Sequence, residues 1–271
     1  LWGMNPSSSG VHAVPFVKQA QEAGAKLVVV DPRRIKLARD ADLHLALRPG
    51  TDLPVALAIG HWLIENGAAD ETFIEAHATG IIEYRERAAQ WTMARAARVA
   101  GVREADLVEL AVWYAQSNPA LIRCGWGVER NRNGASAVAA VLALPAITGK
   151  FGVRGGGYTM SNSRAWKLST EPVVGEPERK VRDVNMNRLG RALTELSDPP
   201  VKALFVYDGN PASTFPDQER VRRGLEREDL FTVVHEQVWT DTARYADVVL
   251  PATTFLEHAE MARGYGNYVL Q

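Results

Sequence analysis

The chain has 271 residues, a length that suits one large domain or two ordinary ones. Its hydrophobic content of 46% and charged content of 23% are those of a globular protein, and a formal net charge of −1 argues against a nucleic-acid partner. No apolar run approaches the ~20 residues of a membrane helix, so we predict no membrane segment, and the single cysteine, Cys124, excludes an iron–sulfur cluster held by this chain alone.

Helix and strand signals alternate over the first fifty residues. The pattern over 11–24 predicts a helix, and the β-branched apolar run 26–31, stopped by Pro32, is typical of a buried parallel strand. The next strand is predicted at 43–47. Amphipathic helices then follow over 52–66, 70–77, 81–90, 92–100 and 103–117.

Strand and helix signals alternate again in the rest of the chain. A strand at 119–124, a buried helix at 133–147 and a loop with five glycines at 149–157 precede a linker at 166–183. Strands are predicted at 203–207, 230–234 and 247–250, and a helix at 217–228. We therefore predict an α/β protein with two related doubly wound parallel-sheet domains of Rossmann-like type, the first over 1–165 and part of the second over 166–271.

An internal repeat supports the two related domains. A shift of 205 residues aligns the first 45 residues on 206–250 without gaps and with ten identities. They cluster at turns and strand ends, and pair Asn5-Pro6 with Asn210-Pro211, Val28-Val29 with Val233-Val234, and Ala41-Asp42 with Ala246-Asp247, among others. We interpret the repeat as a duplication.

Each copy carries the same binding element where a strand meets a helix. Gly3-x-Asn5-Pro6 and Gly209-Asn210-Pro211 place an amide side chain at a turn whose backbone N–H groups suit phosphate. An acid follows each asparagine 26 residues later, Asp31 and Glu236, about where nucleotide folds place the acid that takes ribose hydroxyls. A plain Asx turn explains either element alone, but the repetition favours two related nucleotide sites.

Two other segments allow a binding and a structural interpretation. The first segment is Arg48-Pro49-Gly50-Thr51-Asp52. In the binding interpretation, Gly50 lets the backbone approach a ligand and Asp52 accepts a hydrogen bond from a purine edge. In the structural interpretation, the segment is a turn and Asp52 lies at the start of a helix. Trp126, between Gly125 and Gly127, packs on a flat ring or plugs the end of the sheet.

Catalytic motifs are absent from the sequence. It holds no HExxH pair, no GxSxG elbow and no P-loop, so we assign no catalytic residue and no metal ligand. Nothing near Cys124 in sequence lowers the pKa of its thiol, which favours a small core residue over a nucleophile.

These strings together resemble the central portion of the molybdopterin oxidoreductases of the dimethyl-sulfoxide-reductase and formate-dehydrogenase type. The resemblance covers essentially the whole chain and rests on strings in the family's order. They are Leu-Trp-Gly-Met-Asn-Pro, Leu-Val-Val-Val-Asp-Pro-Arg-Arg, Ala-Asp-Leu-His-Leu-Ala-Leu-Arg-Pro-Gly-Thr-Asp, Cys-Gly-Trp-Gly-Val-Glu-Arg, Tyr-Asp-Gly-Asn-Pro and Thr-Asp-Thr-Ala-Arg-Tyr-Ala-Asp-Val-Val-Leu-Pro.

The resemblance implies two molybdopterin guanine dinucleotides around one molybdenum or tungsten, one on each α/β domain. Positions matching those that hold the first guanosine diphosphate arm are Gly3, Asn5, Asp31, Arg33, Arg48, Gly50 and Asp52. Trp126, Gly127 and Asn162 match segments near the pterin. Gly209, Asn210, Pro211, Glu236, Thr240 and Thr242 match the second arm.

The resemblance also implies a longer parent protein. We expect both ends of the chain, Leu1 and Gln271, to be points at which a longer protein has been cut. A [4Fe-4S] domain and the metal ligand would precede the chain, and a barrel-like domain would follow it. The parent would catalyse two-electron redox or oxygen-atom transfer, with electron-transfer subunits as partners and the cytoplasm favoured over the periplasm.

Two other functions stay open at this point. One is a non-catalytic scaffold subunit of a respiratory complex with the same fold, against which the retained Asn5, Asp31 and Asn210 argue. The other is an NAD enzyme, against which the missing GxGxxG after any strand argues.

Overall fold

The structure is a computed structural model that describes residues 1–160 and 181–259. It divides into two compact units, Leu1–Asn162 and Ser163–Gln271, and each is described by itself. The expected boundary lies at 165/166. Asn162, and most of the linker expected at 166–183, lie outside the described residues.

Short parallel strands and longer helices make up the first unit. Its strands are β1 (Val28–Val30), β2 (Leu43–Leu45), β3 (Leu121–Arg123) and β4 (Gly157–Thr159). Its helices are α1 (Pro6–Ser9), α2 (Ala13–Glu22), α3 (Asp52–Glu65), α4 (Glu71–His77), α5 (Ile81–Ala88), α6 (Met93–Ala100), α7 (Glu104–Gln116) and α8 (Gly134–Ile147). Each helix from α2 to α8 lies within two residues of its expected limits.

Trp2 joins the strands of the first unit into one parallel arrangement. β1 pairs with β2 and β3 pairs with β4, both in parallel. Trp2 bridges Val30 on one side and Cys124 on the other, again in parallel. The spatial order is therefore β2, β1, Trp2, β3, β4, and the direction in which the chain adds strands reverses beside Trp2.

A mostly helical core supports these strands. Helix α3 carries eight buried residues, and it packs against α8, whose Val141 and Leu144 are also buried. A fully buried Leu or Ile contributes roughly 1.5–3 kcal/mol by leaving water. Apolar residues occur around most of α3 because protein surrounds most of it, so the amphipathic prediction for 52–66 is wrong. Helix α8, predicted to be buried, exposes Ala139 and Leu142 on one side.

The second unit contains one three-stranded parallel sheet. Strands β5 (Ala203–Tyr207), β6 (Phe231–Glu236) and β7 (Val248–Pro251) pair in that order. Its helices are α9 (Leu189–Glu195), α10 (Pro211–Thr214) and α11 (Gln218–Leu225). Leu204 packs against the helical core formed by Leu193, Val221 and Leu225. The opposite face is exposed, at 60% for Phe205 and 72% for Tyr207.

The 205-residue shift also relates the elements of the two units. It places α1 on α10, β1 within β6 and β2 within β7. In the first unit the Asp42 carboxylate accepts from the backbone N–H of Leu27 at 2.8 Å, and in the second Asp247 accepts from Thr232 at 2.7 Å. The expected α/β class with parallel sheets is confirmed.

Candidate functional site

The turn after Trp2 lies between two neighbouring strands of the first unit. Gly3 donates its backbone N–H to Val30 at 2.8 Å, and Gly125 donates to the Trp2 carbonyl at 2.7 Å. Gly3 has a φ of +58°, and a Cβ there would lie 2.5 Å from Cγ2 of Val128. Only glycine suits that backbone conformation in that space.

Two more glycines bring the segment after β3 close to this turn. A Cβ on Gly125 would lie 2.2 Å from the Gly3 carbonyl oxygen, and one on Gly127 would lie 3.1 Å from the same atom. Between them Trp126 is 50% exposed. The ring-packing interpretation of Trp126 remains a prediction.

Asn5 and Ser7 each carry a polar atom that has no hydrogen-bond partner in the described part of the chain. The Asn5 amide donates from Nδ2 to Oγ of Ser8 at 3.1 Å, at the start of α1. Its Oδ1 and the Oγ of Ser7 are both buried without a hydrogen-bond partner among residues 1–160 and 181–259. A buried polar group that stays unpaired costs about 1–3 kcal/mol, so a native exception calls for an explanation such as a ligand or a water.

Asp31 directly follows β1 and is held in place by its own turn. Its side chain is buried, and Oδ1 accepts from the backbone N–H of Arg33 at 2.8 Å. Its main-chain oxygen lies 2.9 Å from Nε2 of His44, which gives that mid-strand histidine a partner. The Arg33 side chain is exposed beside this fixed carboxylate.

Asp52, the first residue of α3, is bonded to the sheet. Its Oδ1 accepts from Nε1 of Trp2 at 2.8 Å. Burial raises the pKa of the Asp52 carboxyl above its usual value; the Trp2 hydrogen bond opposes this shift and the charge of Asp31 adds to it. The two carboxyl groups are therefore electrostatic neighbours in the first unit.

We expect Asp52→Asn to raise the stability of the cofactor-free full-length protein near neutral pH. The amide keeps an oxygen for Trp2 and removes a buried charge. Because the folded pKa of Asp52 is raised, the wild-type protein gains stability as pH falls through that pKa towards the unfolded value of about 3.9. The advantage of the variant, measured by urea unfolding between pH 4 and 8, should shrink on acidification; a constant or growing advantage would contradict the assignment.

The Arg48–Asp52 loop is tied to helices on both sides. Arg48 donates its backbone N–H to the carbonyl oxygen of Ala100 at 2.9 Å and its guanidinium to that of Val99 at 3.4 Å, at the C-terminal end of α6. A cation there suits the helix dipole. Gly50 has a φ of +84°, and its carbonyl accepts from Nδ2 of Asn133 at 3.0 Å.

The second unit places its asparagine in the same position with a different partner. Asn210 precedes α10, and Pro211 is buried at the first helical position. The Oδ1 of Asn210 accepts from both the backbone N–H of Thr242 at 3.1 Å and its Oγ1 at 2.8 Å. The buried Thr242 hydroxyl in turn accepts from the backbone N–H of Ala212 at 3.0 Å. Gly209, just before Asn210, is partly buried.

Glu236 and Thr240 lie after the central strand of the same sheet. Glu236 ends β6, and its Oε1 accepts from the backbone N–H of Gln237 at 2.8 Å. Oγ1 of Thr240 accepts from the N–H of Ala243 at 3.2 Å and so begins the 3-10 turn Thr242–Tyr245. The predicted residues therefore fall into two groups, each at the carboxyl end of strands within its own unit.

Sequence reasoning missed Trp2 and Ser7. The 205-residue shift contained the signal for Trp2, since it places Trp2 on Tyr207, the last residue of β5. For Ser7 the sequence holds no signal, because burial without a partner is a tertiary property. Cys124 is fully buried, and burial raises the pKa of its thiol, in agreement with the interpretation as a core residue.

The described part of the chain has neither a group of metal-binding side chains nor a membrane-spanning helix. Within 1–160 and 181–259 no three His, Cys, Asp or Glu side chains are grouped so that they could hold a metal ion. Over the same residues, no helix has both the length and the apolar character needed to span a bilayer.

Comparisons with known proteins relate the chain to one family. A family model described as molybdopterin oxidoreductase matches residues 1–264. The chain is 39% identical over 275 residues to the probable oxidoreductase YoaE of Bacillus subtilis (strain 168), covering 100% of this chain and 40% of that protein. It is 29% identical over 281 residues to formate dehydrogenase H of Escherichia coli (strain K12), covering 95% and 39%.

A solved structure supports the same relationship. The fold is similar to that of acetylene hydratase from Pelobacter acetylenicus, with a TM-score of 0.77 and 26% sequence identity over 94% of this chain and 40% of that chain. The chain thus spans about 40% of the length of these relatives.

Proposed function

Because the chain belongs to the molybdopterin oxidoreductase family, we propose that it is the portion of a molybdenum or tungsten oxidoreductase that binds two molybdopterin guanine dinucleotides. The iron–sulfur cluster, the metal ligand and the docking of electron-transfer subunits belong, in this proposal, to the rest of a longer protein. Relatives about two and a half times as long as the chain support that division.

The strand arrangement supports one nucleotide arm on each unit. In doubly wound sheets, ligands bind beyond the carboxyl ends of the strands where the strand order reverses. The first unit has that reversal beside Trp2, next to Gly3 and Gly125. The second unit repeats the element order of the first at a shift of 205 residues, which supports two related Rossmann-like domains.

The observation that carries the proposal is the unsatisfied pair of buried atoms, Asn5 Oδ1 and Ser7 Oγ. They lie after the Trp2 turn, within the part of the chain that the structure describes. A polar ligand at this edge would give both atoms partners and would offset the cost of burying them unpaired. The residues present therefore fit a nucleotide-bearing cofactor.

The remaining residues have distinct proposed roles towards it. The buried Asp31 carboxylate is positioned to accept from ribose or base donors, and the exposed Arg33 and Arg48 balance diphosphate charge. For the first arm we propose Gly3, Asn5, Asp31, Arg33, Arg48, Gly50 and Asp52, and for the pterin Trp126, Gly127 and Asn162. For the second arm we propose Gly209, Asn210, Pro211, Glu236, Thr240 and Thr242.

Chemistry and positioning are divided between cofactor and chain. The bound cofactor supplies the two-electron redox or oxygen-atom transfer at its metal. This chain binds, orients and neutralises charge, and its one cysteine is buried. Cys124, with a raised pKa, is not a metal ligand in this proposal.

The test is analysis of the full-length protein for metal and nucleotide. We expect molybdenum or tungsten together with about two guanine nucleotides per metal after acid release, and redox activity with an artificial electron acceptor. Metal-free protein without guanine nucleotide would support a scaffold subunit instead. One relative is named a hydratase, so bound cofactor without redox turnover would redirect the reaction class to hydration.

A companion experiment uses the 271-residue chain expressed alone. It is expected to be inactive and to retain little metal after gel filtration, because we assign the metal ligand to another part of the protein. Stoichiometric metal on this chain would show that it contains a ligand we have not assigned.

A further inference from the structure

The two equivalent asparagines differ in how their side chains are held. Asn210 Oδ1 receives two hydrogen bonds from Thr242, while Asn5 Oδ1 receives none from the described residues of the chain. The residue two positions after each asparagine differs as well. Ser7 has a buried hydroxyl that no other described residue bonds, and its counterpart Ala212 donates its backbone N–H to Thr242.

The backbone hydrogen bonds within the two short helices correspond. Asn5 accepts at its carbonyl oxygen from the N–H groups of Ser8 and Ser9, and Asn210 accepts from Ser213 and Thr214 in the same way. In both units the short helix contacts the 3-10 turn that follows the next strand. The difference lies in what reaches each amide oxygen: the backbone N–H and the hydroxyl of Thr242 in the second unit, and no donor from the described residues in the first.

The 205-residue shift accounts for the hydroxyl donor. It places Leu37 where the second unit has Thr242. Leu37 is buried and apolar and offers no side-chain donor, whereas the Thr242 hydroxyl is equally buried and fully used. The two related units thus share the helix that follows the asparagine and differ in whether a donor from the described residues reaches its side-chain oxygen.

We propose that the two arm sites differ in kind: Asn210 is pre-organised by Thr242, whereas Asn5 and Ser7 form a site that only the bound nucleotide arm completes. Ser7 becomes a binding residue of the first arm and Thr242 a positioning residue of the second. This inference rests on the proposed function, because it takes the ligand of both sites to be a guanine dinucleotide arm.

The difference has a thermodynamic consequence. A pre-organised site loses less conformational freedom when its ligand binds, whereas a ligand-completed site becomes ordered at that moment. Without cofactor, the segment around Asn210 should open less often than the segment around Asn5, since buried hydrogen bonds lower the population of locally open states. Binding should then protect the first segment far more than the second.

Hydrogen–deuterium exchange on the full-length protein, with and without cofactor, tests this directly. We expect cofactor to slow exchange of residues 3–10 by roughly tenfold to a hundredfold, and that of 208–215 by much less. Equal cofactor-dependent protection of both segments, or greater protection of 208–215, would overturn the inference. Protein prepared under the same conditions that contains no guanine nucleotide would overturn the proposed function itself, which is a separate result.

Two variants at position 242 add a matched comparison. Thr242→Val removes the hydroxyl and nearly preserves shape, so exchange of 208–215 in cofactor-free protein should rise by roughly tenfold or more and become cofactor-dependent. Thr242→Ser keeps the hydroxyl and should exchange like the wild type. If Thr242→Val exchanges like Thr242→Ser, the threonine does not pre-organise Asn210. If the valine variant fails to fold, the wild-type comparison still decides.

Ser7→Ala provides the corresponding test in the first unit. Without cofactor it should leave exchange of residues 3–10 unchanged or slower, because it removes a buried hydroxyl that has no protein partner. With cofactor it should lose part of the wild-type protection and release guanine nucleotide faster. Faster exchange in the cofactor-free variant would mean that Ser7 stabilises the turn itself and would contradict its role as a binding residue.

Discussion

Replacing Gly125 with alanine is expected to lower the free energy of unfolding of the cofactor-free full-length protein by about 3 kcal/mol. The new Cβ would lie 2.2 Å from the Gly3 carbonyl oxygen and 2.7 Å from Cβ of Met4. The first of these is backbone, and Gly125 is itself bonded to Trp2 at 2.7 Å, so relief requires separating the parallel segments around Trp2.

Gly152→Ala is the matched control for Gly125→Ala. It introduces the same methyl group, but its nearest neighbour would be a ring carbon of Phe73 at 3.8 Å, an ordinary van der Waals distance. Urea unfolding followed by tryptophan fluorescence reports on both variants, since Trp2 is buried beside Gly125. Equal stabilities for the two variants would show that the segments around Trp2 tolerate a wider separation than the structure indicates.

Replacing Asp31 with alanine is expected to remove most of the guanine nucleotide from the purified full-length protein. Each polar contact left unpaired on the ligand costs about 1–3 kcal/mol, which weakens binding by roughly tenfold to a hundredfold or more. The substitution also removes the acceptor for the N–H of Arg33, so the turn after β1 loses a hydrogen bond of 2.8 Å.

Asp31→Asn separates these two effects. The amide oxygen can still accept from the N–H of Arg33, so the turn is kept while the negative charge is lost. We expect normal thermal stability without cofactor and a nucleotide content between those of the wild type and Asp31→Ala. Wild-type nucleotide content in both variants would leave Asp31 as a turn residue alone.

The sequence by itself determined the class of fold and most of its elements. Helices α3 to α8 occur where hydrophobic periodicity and caps place them, because both signals act within a turn or two of the chain. The 205-residue repeat was sufficient to identify Asn5 and Asn210 as equivalent, because the same Asn-Pro turn occurs in both copies. The strand Gly157–Thr159 was not predicted, since its first residue ends a glycine-rich loop and its pairing with β3 is not local.

Only the tertiary structure decided how the predicted site residues are paired. Asp52 appeared in the sequence as a purine acceptor or a helix start, and its partner proved to be Trp2, fifty residues away. Two asparagines that look equivalent differ in their partners: the backbone N–H and hydroxyl of Thr242 reach Asn210, whereas position 37 carries a leucine without a hydroxyl. Hydrogen bonds between distant segments depend on which side chains the fold brings within about 3 Å, and that proximity is not encoded in any local pattern.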